Sequence, residues 1–199
     1  MNAKQRTVLT SIAASITILV AAFGLACRRP TEEIKLGFAG ALSGPASFVG
    51  TEIKRGAELA IDEINAAGGV SGRRLALVAR DDEHTPKNTL ALYRELVERQ
   101  RVVGIVGASN SASMLAVTPL VNDTLRVPVI CPATDATAIT ENDAQKQGRD
   151  NYLFRVGMYG TGQANFMVDS VVRRFGHQKV GLLTWTGGWG VTGREELRR

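Results

Sequence analysis

The run "GASNS" (residues 107–111) sits just after the apolar stretch "RVVGIVG". A serine on a tight turn behind a strand can act as a nucleophile when a histidine takes its proton. Here Ser111 stands where that pattern needs a second glycine. The two histidines, His84 and His177, show no spacing that pairs either with Ser109. A serine hydrolase is therefore a remote alternative, and no enzyme is expected. Asp81 and Asp82 resemble paired catalytic carboxylates, but they close the strand-like run "RLALVARDD" and read as a solvated strand end. The loop "GALSGPASFVG" (40–50) raises the question of a phosphate cradle. Its glycines miss both the G-x-G-x-x-G and the G-x-x-x-x-G-K-[ST] spacings. Pro45 also removes a backbone donor where a phosphate would want one. Two histidines and two cysteines in no ligand spacing argue against a metal site. No cofactor is expected.

The N-terminus carries a different kind of chemistry. "MNAKQR" is a basic head, "TVLTSIAASITILVAAFGLA" follows without a charge, and Cys27 comes next. A basic region, an apolar region and a small residue before the cut describe a secretory signal segment over residues 1–26. Gly24-Leu25-Ala26-Cys27 resembles a bacterial lipobox, although leucine here holds the second place and not the first. A lipid on Cys27 would tether the mature chain to a membrane through residues 27–33. The alternative is an uncleaved membrane anchor. Either places residues from about 30 onward outside the cytoplasm, in the periplasm or at the cell surface. With Cys27 acylated, Cys131 has no partner for an internal disulfide. The chain has 199 residues, 44% of them hydrophobic, and a formal charge of +5 from 24 basic and 19 acidic residues. Lys4 and Arg6 lie in the leader, and the remaining excess is scattered in Arg-Arg pairs with no aromatic interleaving. Nucleic acid is not expected as a partner.

The elements that would position these residues alternate. Strands are expected at 34–41, 74–82, 101–107, 127–132, 151–157 and 179–185. Helices are expected at 51–67, from Pro86 to about Gln100, from Ser111, at 163–176, and from 190 onward. The first helix shows an apolar stripe of Ile53, Ala57, Ala60, Ile61 and Ile64. Thr85 before Pro86 reads as a helix cap, and Pro119 as a kink or break. Val-, Ile- and Leu-rich strands with little alternation, joined by short connections through helices, imply an α/β fold with parallel sheets buried on both faces. Such sheets bind ligands at the carboxyl ends of their strands. That picks out loops 42–50, 82–85, 108–111, 132–139 and 185–190. The polar stretch 141–151 reads as a boundary between a first lobe, 34–150, and a partial second lobe, 151–199.

The block from "GALSGPASFVGTEIKRGAELAIDEINAAGGVSG" to "DDEHTP" resembles the opening of the periplasmic leucine/isoleucine/valine-binding protein family, the solute-binding component of branched-chain amino-acid ABC transporters. "VVGIVGASNSA", "VPVICPATDATAIT" and "NYLFRV" fall where that family has comparable segments, so the resemblance runs from about residue 34 to the end. It implies a two-lobed periplasmic binding protein of type I, with Rossmann-like parallel sheets and an amino acid or related small molecule in the cleft. It also implies a transporter permease as partner. An extracytoplasmic sensor domain of a receptor is the alternative, because the fold serves both.

The resemblance also assigns residues. Ser111 and the amides at its helix start would take a ligand carboxylate, a chemistry that helix N-termini suit. Ser109 or Ser111 could instead simply cap that helix. Ala133 would present backbone to the ligand. Asp135 stands where relatives often have threonine; it could pair with an ammonium and would repel a second carboxylate, or it could form an Asx turn or cap. Thr134 could replace the lost hydroxyl. Phe48, beside Val49, could fill a place where relatives often carry tyrosine, or pack under its loop. Trp189 matches an aromatic that closes over the ligand, while Trp185 reads as core. His84 and Asn110 occupy places where some relatives have a disulfide. The family's chains are much longer, and the acidic residue that usually holds the ligand's ammonium comes from beyond residue 199. The second lobe is thus expected to be incomplete, and this chain alone to bind amino acids weakly or not at all.

Overall fold

The computed structural model describes residues 32–184, 186 and 188–198, with 188 and 189 as backbone. The expected signal segment 1–26, Cys27, most of the tether, Trp185 and the side chain of Trp189 lie outside the described residues.

Five strands form one parallel sheet: β1 (Ile34–Gly40), β2 (Leu75–Asp81), β3 (Ile105–Gly107), β4 (Val129–Cys131) and β5 (Leu153–Arg155). Their order is β2-β1-β3-β4-β5. The register runs Ile34 opposite Leu75, Gly37 opposite Ile105, Ile105 opposite Val129, and Val129 opposite Leu153. The chain builds outward from β1 in one direction to β2, then jumps back over β1 and builds the other way. The crevice between β1 and β3 is the topological switch point of this sheet.

Helices α1 (Ser47–Ala66), α2 (Pro86–Arg94) and α3 (Ser111–Leu120) follow the first three strands. The sequence explains their starts. Thr85 Oγ1 accepts a hydrogen bond from the Asn88 N–H at 3.4 Å, with Pro86 in the first turn. α1 begins at Ser47, four residues before the charged stretch that signals it. Pro119 does not stop α3; the helix runs on into a wider turn at Val121–Leu125. The helix of four residues α4 (Asp143–Lys146), then α5 (Gly160–Val168) and α6 (Gly188–Glu196), complete the described α-helices.

The main core lies between the sheet and α2–α3. It joins Tyr93, Leu96, Ile105, Met114, Val117, Val129, Ile139 and Leu153. The opposite face behaves differently. α1 lies against β2 and β3, and Phe38 and Ile61 are buried apart from the main cluster. Farther along, Ile130 of β4 is 37% exposed and Phe154 of β5 is 51% exposed. The expected burial of all strands on both faces therefore holds for β1 and fails for β4 and β5, because no described helix reaches across them on that side.

Two further expectations change. Residues 179–184 form no strand: no described strand runs beside them to supply a ladder of hydrogen bonds, and Val180, Leu182 and Leu183 stay exposed. Residues 153–155, expected to open the second lobe, are hydrogen-bonded to β4 in the sheet of the first.

Candidate functional site

The loops that leave the carboxyl ends of β1 to β5 are tied to one another by hydrogen bonds. After β1, the Ala41 N–H donates to Ser109 Oγ at 3.1 Å, and the Leu42 N–H donates to Asp81 Oδ1 at 2.9 Å. After β2, the buried Asp82 accepts from the His84 N–H and from Thr89 Oγ1, both at 2.9 Å. Asp82 is thus an internal staple of its turn and not the solvated strand end expected. Asp81 holds the opening loop. Burial pushes its carboxyl up, but hydrogen bonds from the Ser43 side chain and from the backbone of Leu42, Glu83 and Ser43 outweigh this, and its pKa lies below the usual 3.8.

Two glycines allow this crowding. A Cβ at Gly50 would sit 1.9 Å from the Ala41 carbonyl oxygen, so α1 presses directly on the end of β1. Gly107, with φ +131°, would place a Cβ 2.1 Å from the Ala39 oxygen. Only glycine fits both that backbone angle and that approach at the β1/β3 crevice.

The N-terminus of α3 opens into this loop cluster. Asn110, not either serine, is its cap: Asn110 Oδ1 accepts from the Ser113 N–H at 2.8 Å. Capping by Asn110 leaves the N–H groups of Ser111 and Ala112 without a partner among the described residues. Ser111 Oγ accepts from the Asp135 N–H at 3.3 Å, so its own hydroxyl proton is free to donate. Two free amides, a hydroxyl and the positive end of a helix dipole make a seat for a carboxylate. Below it, Met114 Sδ accepts from the Ala108 N–H at 3.0 Å and from Tyr93 Oη at 3.5 Å, which fixes the turn from inside the core. Burial, with smaller contributions from Cys131 and Asp82, raises the Tyr93 pKa well above its ordinary value.

The loop after β4 faces that seat. Ala133 is exposed, Thr134 is buried and Asp135 is half-buried. Thr134 Oγ1 lies near the Cys131 sulfur but out of hydrogen-bond geometry with every described group. Burial pushes the Cys131 thiol up to about 11, while the Thr134 hydroxyl and the Arg155 charge pull it part of the way back. Arg155, at the end of β5, holds the loop in place. Its Nη1 donates to the carbonyls of Asp135 and Ala136 at 3.1 Å, its Nη2 donates to Thr140 Oγ1, and its guanidinium lies 5.7 Å from the Tyr159 ring centre. Burial lowers the Arg155 pKa, and Cys131, Asp135, Glu141 and Tyr159 oppose the shift. The Gly160 N–H completes the fixing by donating to the Asp135 carbonyl at 2.7 Å. Beyond Asp135 a hollow of about 180 Å³, mostly apolar, opens between α5 and α6.

Of the expected site residues, Ser109, Ser111, Ala133, Thr134 and Asp135 come together. Phe48 is 70% exposed in the first turn of α1 and does not pack under its loop. Asn110 Nδ2 and His84 Nδ1 stand 3.4 Å apart, so the two places where some relatives carry a disulfide are indeed neighbours. Sequence reading missed Asn110 as the cap and Arg155 as the anchor. A lone charge closing the apolar strand "LFR" was the available signal for Arg155. Among the described residues no group of three or more His, Cys, Asp or Glu could hold a metal.

A family profile described as periplasmic binding protein matches residues 33–199. The chain belongs to the periplasmic binding protein family. The Leu/Ile/Val-binding protein homolog 7 of Brucella abortus is 30% identical over 159 residues, covering 80% of this chain and 38% of that protein. A branched-chain amino acid transporter substrate-binding protein from Streptococcus pneumoniae, solved with isoleucine, superposes with a TM-score of 0.73 at 28% identity, over 84% of this chain and 46% of that one. A solute-binding protein of an ABC transporter from R. palustris, solved with 4-hydroxybenzoate, gives 0.69 at 25% identity, over 84% and 43%. This periplasmic binding protein thus spans less than half the length of these relatives, which are solute-binding proteins of the type I fold.

Proposed function

We propose that the chain is the ligand-binding part of an extracytoplasmic solute-binding protein that delivers amino acids of branched-chain type, or related small molecules, to an ABC transporter permease. The observation that carries this reading is the α3 N-terminus at the β1/β3 crevice, with two free amides and the Ser111 hydroxyl. Ser111, Ala133, Thr134 and Asp135 contact the ligand. Ser109 supports them by holding the opening loop, and Phe48 and Trp189 supply wall. The cleft divides a first lobe, residues 34–150 together with β5, from the rest of residues 151–199. Residues 1–26 export the chain, residues 27–33 tether it, and a lipid on Cys27 retains it at the membrane. Catalysis by Ser109 is disfavoured, because its buried hydroxyl accepts from Ala41 and the neighbour of His84 is Asn110. The relatives' ligands support the class: isoleucine in one, an aromatic acid in another.

The test is an amide-resolved NMR titration of the chain with L-leucine. Binding in the millimolar range, with shifts centred on Ser111, Ala112, Ala133 and Asp135, is expected. Ser111→Ala should weaken it about ten-fold, the loss of one hydrogen bond to a charged group. Shifts elsewhere, or none, would sink the reading.

A further inference from the structure

Helix α5 starts without a cap of its own. Tyr159, at the cap position, makes no side-chain hydrogen bond to it, and its first turn holds no acidic residue. A carboxylate reaches this end from another helix instead. Glu196, the last residue of α6, accepts from Thr161 Oγ1 at 2.9 Å. At the C-terminal end of α6 that charge opposes the dipole of its own helix, whereas at the N-terminal end of α5 it suits the dipole it meets. Thr161 Oγ1 has one proton, and the carboxylate takes it. Thr137 Oγ1, 3.0 Å away, therefore donates to Thr161 Oγ1, and it accepts from the Thr161 N–H at 3.2 Å. The hydroxyl protons thus run in one order, from Thr137 to Thr161 to Glu196. Three segments meet at this point. A Cβ at Gly160 would lie 3.2 Å from Asp135 O, 3.5 Å from Thr137 Oγ1 and 3.7 Å from Glu196 Cγ. With the Gly160 N–H already on the Asp135 carbonyl, the relay ties α5 and α6 to residues 135–137, in the loop that faces the α3 terminus.

We propose that Glu196 is a positioning residue of the binding site: through Thr161 and Thr137 it fastens α6 to the ligand loop in one rotation about the helix axis. Trp189 precedes Glu196 by about two helical turns, so the two positions lie on one face of α6. Holding Glu196 against Thr161 therefore sets the direction of the face that carries position 189. The inference rests on the reading of the α3 terminus as the ligand seat and of Trp189 as its wall. It adds that the wall is aimed before any ligand arrives, by three side chains that touch no ligand. Pre-setting it in this way spares the ligand the cost of ordering α6.

Two pairs of variants of the full chain test this. Glu196→Leu removes the acceptor and Thr161→Val removes the hydroxyl, while Glu196→Gln and Thr161→Ser keep the chain of hydrogen bonds. The first readout needs no ligand: hydrogen exchange of the Leu197 amide, which bonds to the Gly193 carbonyl within α6. Glu196→Leu and Thr161→Val should each speed it about ten-fold, and the two conservative variants should stay within about three-fold of wild type. The second is an NMR titration with L-leucine. Its affinity should fall about five-fold in the disruptive pair and hold within about two-fold in the conservative pair. If neither disruptive variant speeds exchange, the fastening is refuted. If exchange speeds but leucine binds as before, the relay is a packing detail and the positioning role fails while the ligand seat stands. Conservative variants as impaired as the disruptive ones would also overturn it. If leucine moves neither the Ser111 nor the Ala112 amide of the wild-type chain, the seat itself is refuted and the positioning role with it.

Discussion

Ser109 shows how one buried side chain can hold a loop through its backbone. Its hydroxyl is the acceptor for the Ala41 N–H, which has no water to turn to. Ser109→Ala should destabilise the chain by about 1–3 kcal/mol in a denaturant titration, the cost of stranding a buried donor. Cys131 offers a second check at this scale. With its thiol pushed up to about 11, it stays protonated at neutral pH, and it is also fully buried. A thiol reagent at pH 8 should therefore label it only at the rate of unfolding; rapid labelling of native protein at Cys131, told apart from Cys27 by peptide mapping, would contradict this. That Ser111, Ala133, Thr134 and Asp135 lie close together was legible in the sequence, because their segments keep a family's order of residues. Asn110 and Arg155 were not. A cap is chosen by one φ/ψ pair among three adjacent polar residues, and an arginine's reach depends on where β5 ends relative to a loop some twenty residues earlier.

At the scale of elements, crowding between β1, α1 and β3 positions the crevice. Gly107→Ala should cost at least about 2 kcal/mol, since it meets both a forbidden angle and the Ala39 oxygen. Thermal unfolding would register the loss; an unchanged midpoint would refute the close approach. The Asp81 link between the β1 and β2 loops has a pH signature. Its folded pKa lies below the usual 3.8. The link therefore stabilises the fold fully above that value and is lost as pH falls through the lowered folded pKa. Wild type should be more stable than Asp81→Asn at pH 6, and the gap should narrow once the pH drops below 3.8. The alternation of apolar runs and helical stripes was enough to find β1–β5 and their helices. It could not tell that residues 179–184 would stay out of the sheet, because a strand is made by its neighbour as much as by its own composition. Nor could it assign 153–155 to the first sheet, since their partner in β4 is set by topology.

For the whole molecule, the uneven cover of the sheet is the dominant fact. Ile130 and Phe154 display apolar surface on the face that carries α1 but beyond the part that helix covers, beside the edge strand β5. Concentrated solutions should self-associate, and the double substitution Ile130→Ser with Phe154→Ser should reduce this in sedimentation velocity while leaving the far-ultraviolet dichroism intact. An unchanged sedimentation profile would show the face to be inert. The position of β1 has a consequence of another kind. The first of the described strands to be synthesised is an interior one, and its two neighbours are encoded later, the nearer in sequence about forty residues on. A nascent chain that has emerged only through α1 can pair neither edge of β1. The ladder of β1 can therefore be completed on both sides only once β2 and β3 have both left the exit tunnel.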